Sequence, residues 1–373
     1  MTTNMKATTE GTAGYCERFR GLVADSHFRR EQNLWMSSIG LGSYLGNADE
    51  RTDEGYRSAV KSAAELGCNV FDSAANYRFQ RSERSFGQAF SELFAAGTLR
   101  REEIIVTTKG GFIPFDGAMP RGRQEMTAYL EETFVNPGVC RMEDFVQGSH
   151  CMTPGYLAHQ LDQSLRNLRL DCVDVYYLHN PESQLAEVSP EEFYRRLAAA
   201  FEFLESAVAA GKISMYGTAT WNGYRVASNN REFLSLEKVA QTAREVGGDN
   251  HHFKVVQLPV NLAMIEAFTN TNQTVNGRKT NLLETAGEYE VTVMASGSIL
   301  QSKLSAGLPP IVEEAFQGLR TDAQRAIQFV RSTPGVTTAL VGMSRTAHVE
   351  ENLEVAKVAP ADAESYLKLF GAS

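Results

Sequence analysis

Four polar side chains that could transfer protons together stand at or just after the ends of apolar runs. Asp72 ends NVFD, Lys109 ends EIIVTTK, His179 ends CVDVYYLH, and Tyr77 follows Asp72 by five residues. An ammonium near a phenol favours the ionised phenolate, and a carboxylate can hold that ammonium in place. An imidazole can orient a substrate oxygen and pass a proton. The set predicts protonation of a carbonyl oxygen while a nicotinamide supplies hydride.

Each of these side chains also has a structural explanation. A histidine after a strand is often a hydrogen-bonded structural residue, and a lysine at a strand end can simply extend into solvent. Asp72 can cap the next helix, and Tyr77 can pack within its loop. The joint occurrence of an acid, a phenol, an ammonium and an imidazole at strand ends favours the chemical interpretation.

Eight short apolar runs alternate with helical patterns and predict the strands that position these side chains. Leucine stripes such as Leu157, Leu161, Leu165 and Leu168 indicate amphipathic helices between them. The pattern predicts an α/β fold, a (β/α)8 TIM barrel, whose catalytic groups lie at the carboxyl ends of the strands. A doubly wound sheet is the alternative, although no GxGxxG follows the first strand. The runs are SSIGLG, NVFD, EIIVTTK, CVDVYYLH, ISMYGTA, KVVQLPVN, VTVMAS and TTALVGM.

Two parts of the chain interrupt this alternation. Residues 111–153 form an insertion after the third main strand, too long for a simple connection. Its aromatic residues either roof a substrate pocket or pack a small core of the insertion itself. Residues 262–282 are polar and predict a second loop. We expect residues 1–25 to be a loose N-terminal extension and residues 26–373 to form one barrel domain. The aromatic residues of the insertion include Phe112, Phe115, Tyr129, Phe134 and Phe145.

The composition excludes several classes of protein. The 373 residues are 43% hydrophobic with a formal net charge of -9. The sequence contains no long basic run of the kind that would indicate nucleic-acid or membrane binding. The five cysteines form no CxxC pair, which indicates reduced thiols in a cytoplasmic protein. The N-terminus lacks the apolar segment of a secretory signal. The seven histidines show no metal-ligand spacing, so no metal is predicted.

From about residue 35 to 358 the chain resembles the aldo-keto reductase family. The matching segments are IGLGSYLG, NVFDSAANY, IVTTKGG, DVYYLHNPE, YGTATWNG, VVQLPVNL and PGVTTALVGMSRTAHVEENLEVA. The resemblance implies a barrel that binds NADP(H) without a Rossmann domain. It also implies that Tyr77 is the general acid in reduction and the base in oxidation. Lys109 would lower the pKa of Tyr77, Asp72 would pair with Lys109, and His179 would orient the carbonyl.

The resemblance also implies a set of cofactor-binding residues. Asn180 and Gln257 fall where members of the family contact the nicotinamide amide. Arg345 falls where members of the family bind the adenosine 2'-phosphate. Ala219 and Thr220 replace the usual Ser-Asn pair, and ASGSILQSKL lacks the usual proline–leucine pair. Trp221 either stacks on the nicotinamide or packs against its loop. The full set is Gly42, Ser43, Asn180, Thr220, Gln257, Ser296, Ser298, Gly342, Ser344, Arg345, His348, Glu351 and Asn352.

These features predict an NADP(H)-dependent carbonyl reductase or alcohol dehydrogenase acting on a small molecule. Two alternatives stay open: a nicotinamide-binding regulatory subunit with little turnover, and a non-redox lyase or epimerase on the same barrel. The insertion loops carry no motif that identifies the substrate. Arg121, Arg123 and Arg141 could meet an anionic substrate or be solvated charges. Nothing in the sequence indicates the oligomeric state.

Overall fold

The eight apolar runs form one closed parallel barrel in the computed structural model, which describes residues 5–370. This confirms the predicted (β/α)8 fold. The strands in chain order are β1 (Phe28–Glu31), β2 (Leu34–Ser37), β3 (Ile39–Gly42), β4 (Val70–Asp72), β5 (Ile105–Gly110), β6 (Val173–His179), β7 (Ile213–Ala219), β8 (Phe253–Pro259), β9 (Gln273–Val275), β10 (Arg278–Thr280), β11 (Thr292–Ser296) and β12 (Val336–Gly342).

The barrel order is β3, β4, β5, β6, β7, β8, β11, β12 and back to β3, with every neighbouring pair parallel. Helices surround it. They are α1 (Thr9–Arg18), α2 (Glu50–Glu65), α3 (Arg81–Ala95), α4 (Gly122–Leu130), α5 (Pro154–Leu168), α6 (Pro190–Ala209), α7 (Leu236–Gly247), α8 (Glu266–Thr269), α9 (Leu282–Glu288), α10 (Pro310–Ala315), α11 (Asp322–Ser332), α12 (Thr346–Leu353) and α13 (Ala363–Lys368).

The barrel strands are rich in apolar residues because both of their faces are covered, and a few buried polar side chains such as Lys109 and Gln257 lie within them. One set of side chains fills the barrel interior, and the other set packs against the helices. The antiparallel hairpin β1–β2 adds Leu34 and Met36 to the interior cluster. Helix starts follow from local capping. The Ser189 side chain accepts a hydrogen bond from the Glu192 N–H at the start of α6, and Thr321 forms a capping box with Gln324 at α11.

The expectation of a loose extension over residues 1–25 is wrong for Thr9–Arg18, which form helix α1. The buried Tyr15 hydroxyl donates to the Ala64 carbonyl at 2.6 Å, and the Ala7 N–H donates to the Asp174 carboxylate at 2.7 Å. The sequence of this helix is largely polar because only one narrow face is buried, so it lacks the apolar stripe that would have predicted a helix. Residues 1–4 lie outside the described part, and the assignment of 26–373 to one domain stays a prediction.

The two interrupting segments have structure of their own. The insertion packs Phe134 and Phe145 into a separate small core, as one of the two interpretations expected. Residues 262–282 are not a simple loop, because they contain α8 and the hairpin β9–β10. Asn276 and Gly277 connect that hairpin with φ angles of 49° and 81°, the left-handed turn that Asn-Gly favours. Among residues 5–370, no helix is long and apolar enough to cross a membrane.

Candidate active site

Asp72 and Lys109 form a buried ion pair at the carboxyl ends of β4 and β5. The Lys109 Nζ lies 2.6 Å from Asp72 Oδ2 and donates to the Ser73 carbonyl at 2.7 Å. Burial lowers the pKa of Lys109, while the charge of Asp72 opposes that shift. Thr107 Oγ1 donates to Asp72 Oδ1 at 2.6 Å, so both carboxylate oxygens have partners. The pair is therefore held in one geometry by the two strand ends.

Gln257 contacts this ion pair directly. Its Nε2 donates to Asp72 Oδ1 at 2.8 Å, from the middle of β8. The resemblance placed Gln257 against the nicotinamide amide. In the structure its amide nitrogen is committed to Asp72 instead, although the side chain still lines the cavity described below.

Tyr77 is directed over the strand ends by an unusual turn. The next three residues, Arg78, Phe79 and Gln80, have left-handed φ angles of 50°, 57° and 68°. Such non-glycine residues cost on the order of 1–3 kcal/mol each, so the surroundings must hold them. Arg78 Nε donates to the Asn47 carbonyl, and Gln80 Nε2 donates to the Pro114 carbonyl, each at 2.8 Å.

The Tyr77 phenol is protonated at neutral pH. Burial raises its pKa well above 10, and the negative charge of Asp72 raises it further. The resemblance implied that Lys109 lowers this pKa. The Lys109 Nζ lies 5.1 Å from the Tyr77 ring centroid, and it is already paired with Asp72, which explains the opposite direction.

His179 ends β6 and faces Tyr77, with their ring centroids 5.8 Å apart in an edge-on arrangement. Burial lowers the pKa of His179 well below 6.5, and the charge of Lys109 lowers it further. The imidazole is therefore neutral at pH 7. Its Nδ1 is buried and has no hydrogen-bond partner among the described residues. A phenol and a neutral imidazole thus lie side by side, and each can donate a hydrogen bond.

A cavity of about 420 Å³ opens above these groups and includes most of the predicted cofactor residues. Lys109 does not line it, but the cavity-lining Asp72 contacts Lys109. Trp221, which is 39% exposed, lines the cavity, and Phe112 of the insertion lines it as well. The predicted site residues at the cavity are Gly42, Ser43, Asp72, Tyr77, His179, Asn180, Thr220, Gln257, Ser296, Ser298 and Gly342.

Some of these residues are already engaged. The buried Ser43 hydroxyl bonds to the Ser73 hydroxyl at 2.9 Å and thereby ties β3 to β4. Asn180 has a left-handed φ of 46°, and its N–H donates to the Ala219 carbonyl at 2.6 Å. The Thr220 hydroxyl is buried and has no partner within residues 5–370, so it can bond to a ligand.

The remaining predicted cofactor residues lie outside this cavity, between β12 and α12 and within α12. Arg345 and His348 are exposed, and Arg345 forms no salt bridge with any described residue. Glu351 accepts a hydrogen bond from the Thr321 hydroxyl at 2.7 Å, and Asn352 is buried. Ser344 is half-buried. Glu351 and Asn352 therefore have structural surroundings that the resemblance did not indicate.

The residues present fit a nicotinamide dinucleotide. The open cavity contains the Thr220 hydroxyl, which has no partner within the described residues, and the amide of Asn180, beside Ser296 at the end of β11 and Ser298 just after it. The exposed Arg345 guanidinium at the start of α12, which forms no salt bridge within residues 5–370, suits a phosphate. Ala219 and Thr220 replace the Ser-Asn pair usual in the family, so these two positions offer the cavity one side-chain hydroxyl, that of Thr220.

Four residues near the site were not identified from the sequence. Tyr44 lies at the cavity with its ring 5.0 Å from that of Tyr77, and its place just after β3 could have indicated it. Glu83 is a buried carboxyl that accepts hydrogen bonds from Thr108 and Asn167. Glu182 and His150 are also buried beside strand ends; Glu182 ends the matching segment DVYYLHNPE, whereas His150 has no local motif.

Arg121, Arg123 and Arg141 of the insertion do not line the cavity. All three are exposed, and Arg141 pairs with Glu143 and Asp144. The interpretation as solvated charges is the one that agrees with the structure.

A sequence model described as the Aldo/keto reductase family matches residues 38–246. L-glyceraldehyde 3-phosphate reductase of Escherichia coli K12 is 24% identical over 87% of this chain and 85% of its own. The probable voltage-gated potassium channel subunit beta of Arabidopsis thaliana is 22% identical over 88% and 90%. An aldo/keto reductase from Klebsiella pneumoniae, crystallised with NADP and acetate, has a TM-score of 0.61 at 20% identity, covering 93% of this chain and 94% of that one. At that identity the structural likeness shows the fold alone.

Proposed function

The chain belongs to the aldo/keto reductase family, and from this premise we propose that it is an NADP(H)-dependent oxidoreductase that reduces an aldehyde or ketone to an alcohol. The observation that carries the proposal is the cluster of Asp72, Tyr77, Lys109 and His179 at one open cavity. Hydride chemistry needs a donor that the amino acids lack, and a bound nicotinamide supplies it.

In this proposal Tyr77 gives its proton to the carbonyl oxygen. Its raised pKa keeps that proton available at neutral pH. The neutral His179 imidazole orients the same oxygen by a hydrogen bond. As Tyr77 loses its proton, the ammonium of Lys109 stabilises the phenolate, and Asp72 keeps the ammonium beside the ring. Reversal of these roles allows alcohol oxidation, with Tyr77 as base.

The proposed cofactor residues divide into two groups. Asn180 and Thr220, with Ser296 and Ser298, would hold the nicotinamide half in the cavity, while Gln257 stays bonded to Asp72. Arg345, at the start of α12, would bind the 2'-phosphate that distinguishes NADPH from NADH.

Fluorescence titration with NADPH and NADH tests the cofactor assignment. We expect NADPH to bind more tightly than NADH to the wild-type protein. Arg345→Ala should weaken NADPH binding and leave NADH binding unchanged, whereas Arg123→Ala, an exposed arginine of α4, should change neither. Binding of neither nucleotide would refute the proposed function, and equal effects of Arg345→Ala on both nucleotides would refute the role of Arg345.

A regulatory subunit is the second candidate. The observation that favours it is the similarity over 88% of this chain to a plant protein named as a probable potassium channel subunit beta. A protein of this kind would bind NADPH but consume almost none with a broad panel of carbonyls, and it would co-purify with a partner. Steady turnover with any carbonyl, without such a partner, would contradict this candidate.

A further inference from the structure

His150, the single histidine of the 111–153 insertion, lies against the backbone of the catalytic-site residue His179. His150 Nε2 is 2.8 Å from the His179 carbonyl oxygen, and the His150 side chain is buried. Phe112 packs edge-on against both imidazoles, with centroid distances of 5.1 Å to each. The insertion therefore reaches the end of β6 through one hydrogen bond and one shared aromatic contact.

The hydrogen-bond network determines which nitrogen of His150 carries the proton. Arg196 Nη1 donates to Gln184 Oε1 at 2.6 Å, so the amide oxygen of Gln184 is fixed. The amide nitrogen then faces His150 Nδ1 at 2.8 Å and donates to it. Because Nδ1 accepts, Nε2 carries the hydrogen and donates to the His179 carbonyl. Burial lowers the pKa of His150 to about 4, which keeps the ring neutral at pH 7.

Backbone hydrogen bonds join the two ends of the insertion and hold His150 in this position. The Ile113 N–H donates to the Ser149 carbonyl at 3.1 Å, and the Cys151 N–H donates to the Gly111 carbonyl at 2.9 Å. Gly111 has a φ of 141°, and a Cβ there would lie 2.7 Å from His150 Nε2. A side chain at position 111 would displace His150, so glycine is needed for this close approach.

A hydrogen bond to the His179 carbonyl helps to fix the backbone at the end of β6. The His179 Nδ1 has no partner among the described residues, so its ring is not fixed through that nitrogen. The next residue, Asn180, turns sharply into a left-handed conformation. Backbone orientation at 179 therefore controls where the imidazole points.

We propose that His150 is a positioning residue for His179: its Nε2–H fixes the His179 carbonyl and thereby the direction of the His179 ring, and the 111–153 insertion delivers this donor to the site. His150 does not line the cavity, so it acts only through His179. The inference rests on the proposed function, in which His179 orients the carbonyl substrate.

Two variants separate hydrogen bonding from packing. His150→Phe keeps a ring beside Phe112 but removes both nitrogens, and His150→Gln keeps an N–H donor of similar reach but removes the ring. With a carbonyl that the wild type reduces, we expect kcat of His150→Phe to fall about 10- to 100-fold. We expect His150→Gln to recover most of that loss. NADPH affinity, measured by fluorescence, should be unchanged in both, and urea unfolding of both variants controls for loss of fold.

NMR of the imidazole nitrogens in the protein without added nucleotide gives a readout independent of turnover. We expect a protonated Nε2 and an unprotonated Nδ1 for His150. The His179 ring resonances should shift in His150→Phe and return toward the wild-type values in His150→Gln.

The outcomes distinguish this inference from the proposed function. A protonated Nδ1 on His150, unshifted His179 resonances in His150→Phe, or His150→Phe more active than His150→Gln would overturn the positioning role. If the wild type reduces no carbonyl, the proposed function fails, and the NMR signals alone then decide whether His150 positions His179.

Discussion

Replacement of Lys109 by Met isolates the energetic role of the buried ion pair. The Lys109 side chain is 1% exposed, and its Nζ donates to Asp72 and to the Ser73 carbonyl. Removing one partner of a buried pair costs about 3–5 kcal/mol of unfolding free energy, because the other charge stays buried. Asp72 retains donors from Thr107 and Gln257 at 2.6 and 2.8 Å, so we expect the lower end, about 3 kcal/mol.

Urea unfolding followed by circular dichroism at pH 7.5 measures this loss. Lys279→Met, at an exposed lysine of β10, is the matched control and should change stability by less than about 0.5 kcal/mol. The double variant Asp72→Asn/Lys109→Met removes both charges and should be more stable than Lys109→Met alone. A loss below about 1 kcal/mol in Lys109→Met, or a double variant less stable than the single one, would refute the reasoning.

Two further predictions concern stability. Burial raises the pKa of Glu182 from 4.5 to about 7. The folded state therefore binds more protons than the unfolded state between these values, and stability falls as pH rises through this window, by up to about 3 kcal/mol. Glu182→Gln should remove this fall in urea unfolding at pH 5 and pH 8, and an unchanged pH dependence would contradict the assignment. In β7, a Cβ on Gly217 would lie 1.8 Å from the Val255 carbonyl oxygen. Gly217→Ala should lower the free energy of unfolding by about 1–3 kcal/mol or more. Gly287→Ala in α9, where the Cβ meets no atom within 4 Å, is the control and should be neutral or stabilising. Equal effects of the two substitutions on thermal unfolding would argue against the close contact at Gly217.

Local sequence signals were sufficient for the barrel. Each barrel strand lies in a short, mostly apolar run, and each run ends near the residue where the strand ends, as at Asp72 and His179. Since parallel strand ends meet at one rim, the clustering of the polar residues followed from the fold prediction. The Asn276-Gly277 turn was also a local signal, and attention to it would have predicted the β9–β10 hairpin.

Other features depend on contacts between distant residues and could not be predicted in this way. The bond from Gln257 to Asp72 spans 185 residues, and the raised pKa of Tyr77 arises from burial that only the folded chain creates. His150 has no motif around it, because its role follows from where the base of the insertion brings it. Helix α1 was missed because few of its residues are apolar.

The central claim is that Tyr77 donates the proton in carbonyl reduction. Its most direct test is single-turnover oxidation of NADPH by the wild type and by Tyr77→Phe, with NADPH affinity measured on the same samples. The Phe ring keeps the packing against Tyr44 and His179 but has no proton to give. We expect unchanged affinity and an oxidation rate lower by about 10²–10⁴-fold. An unchanged rate in Tyr77→Phe would contradict the account.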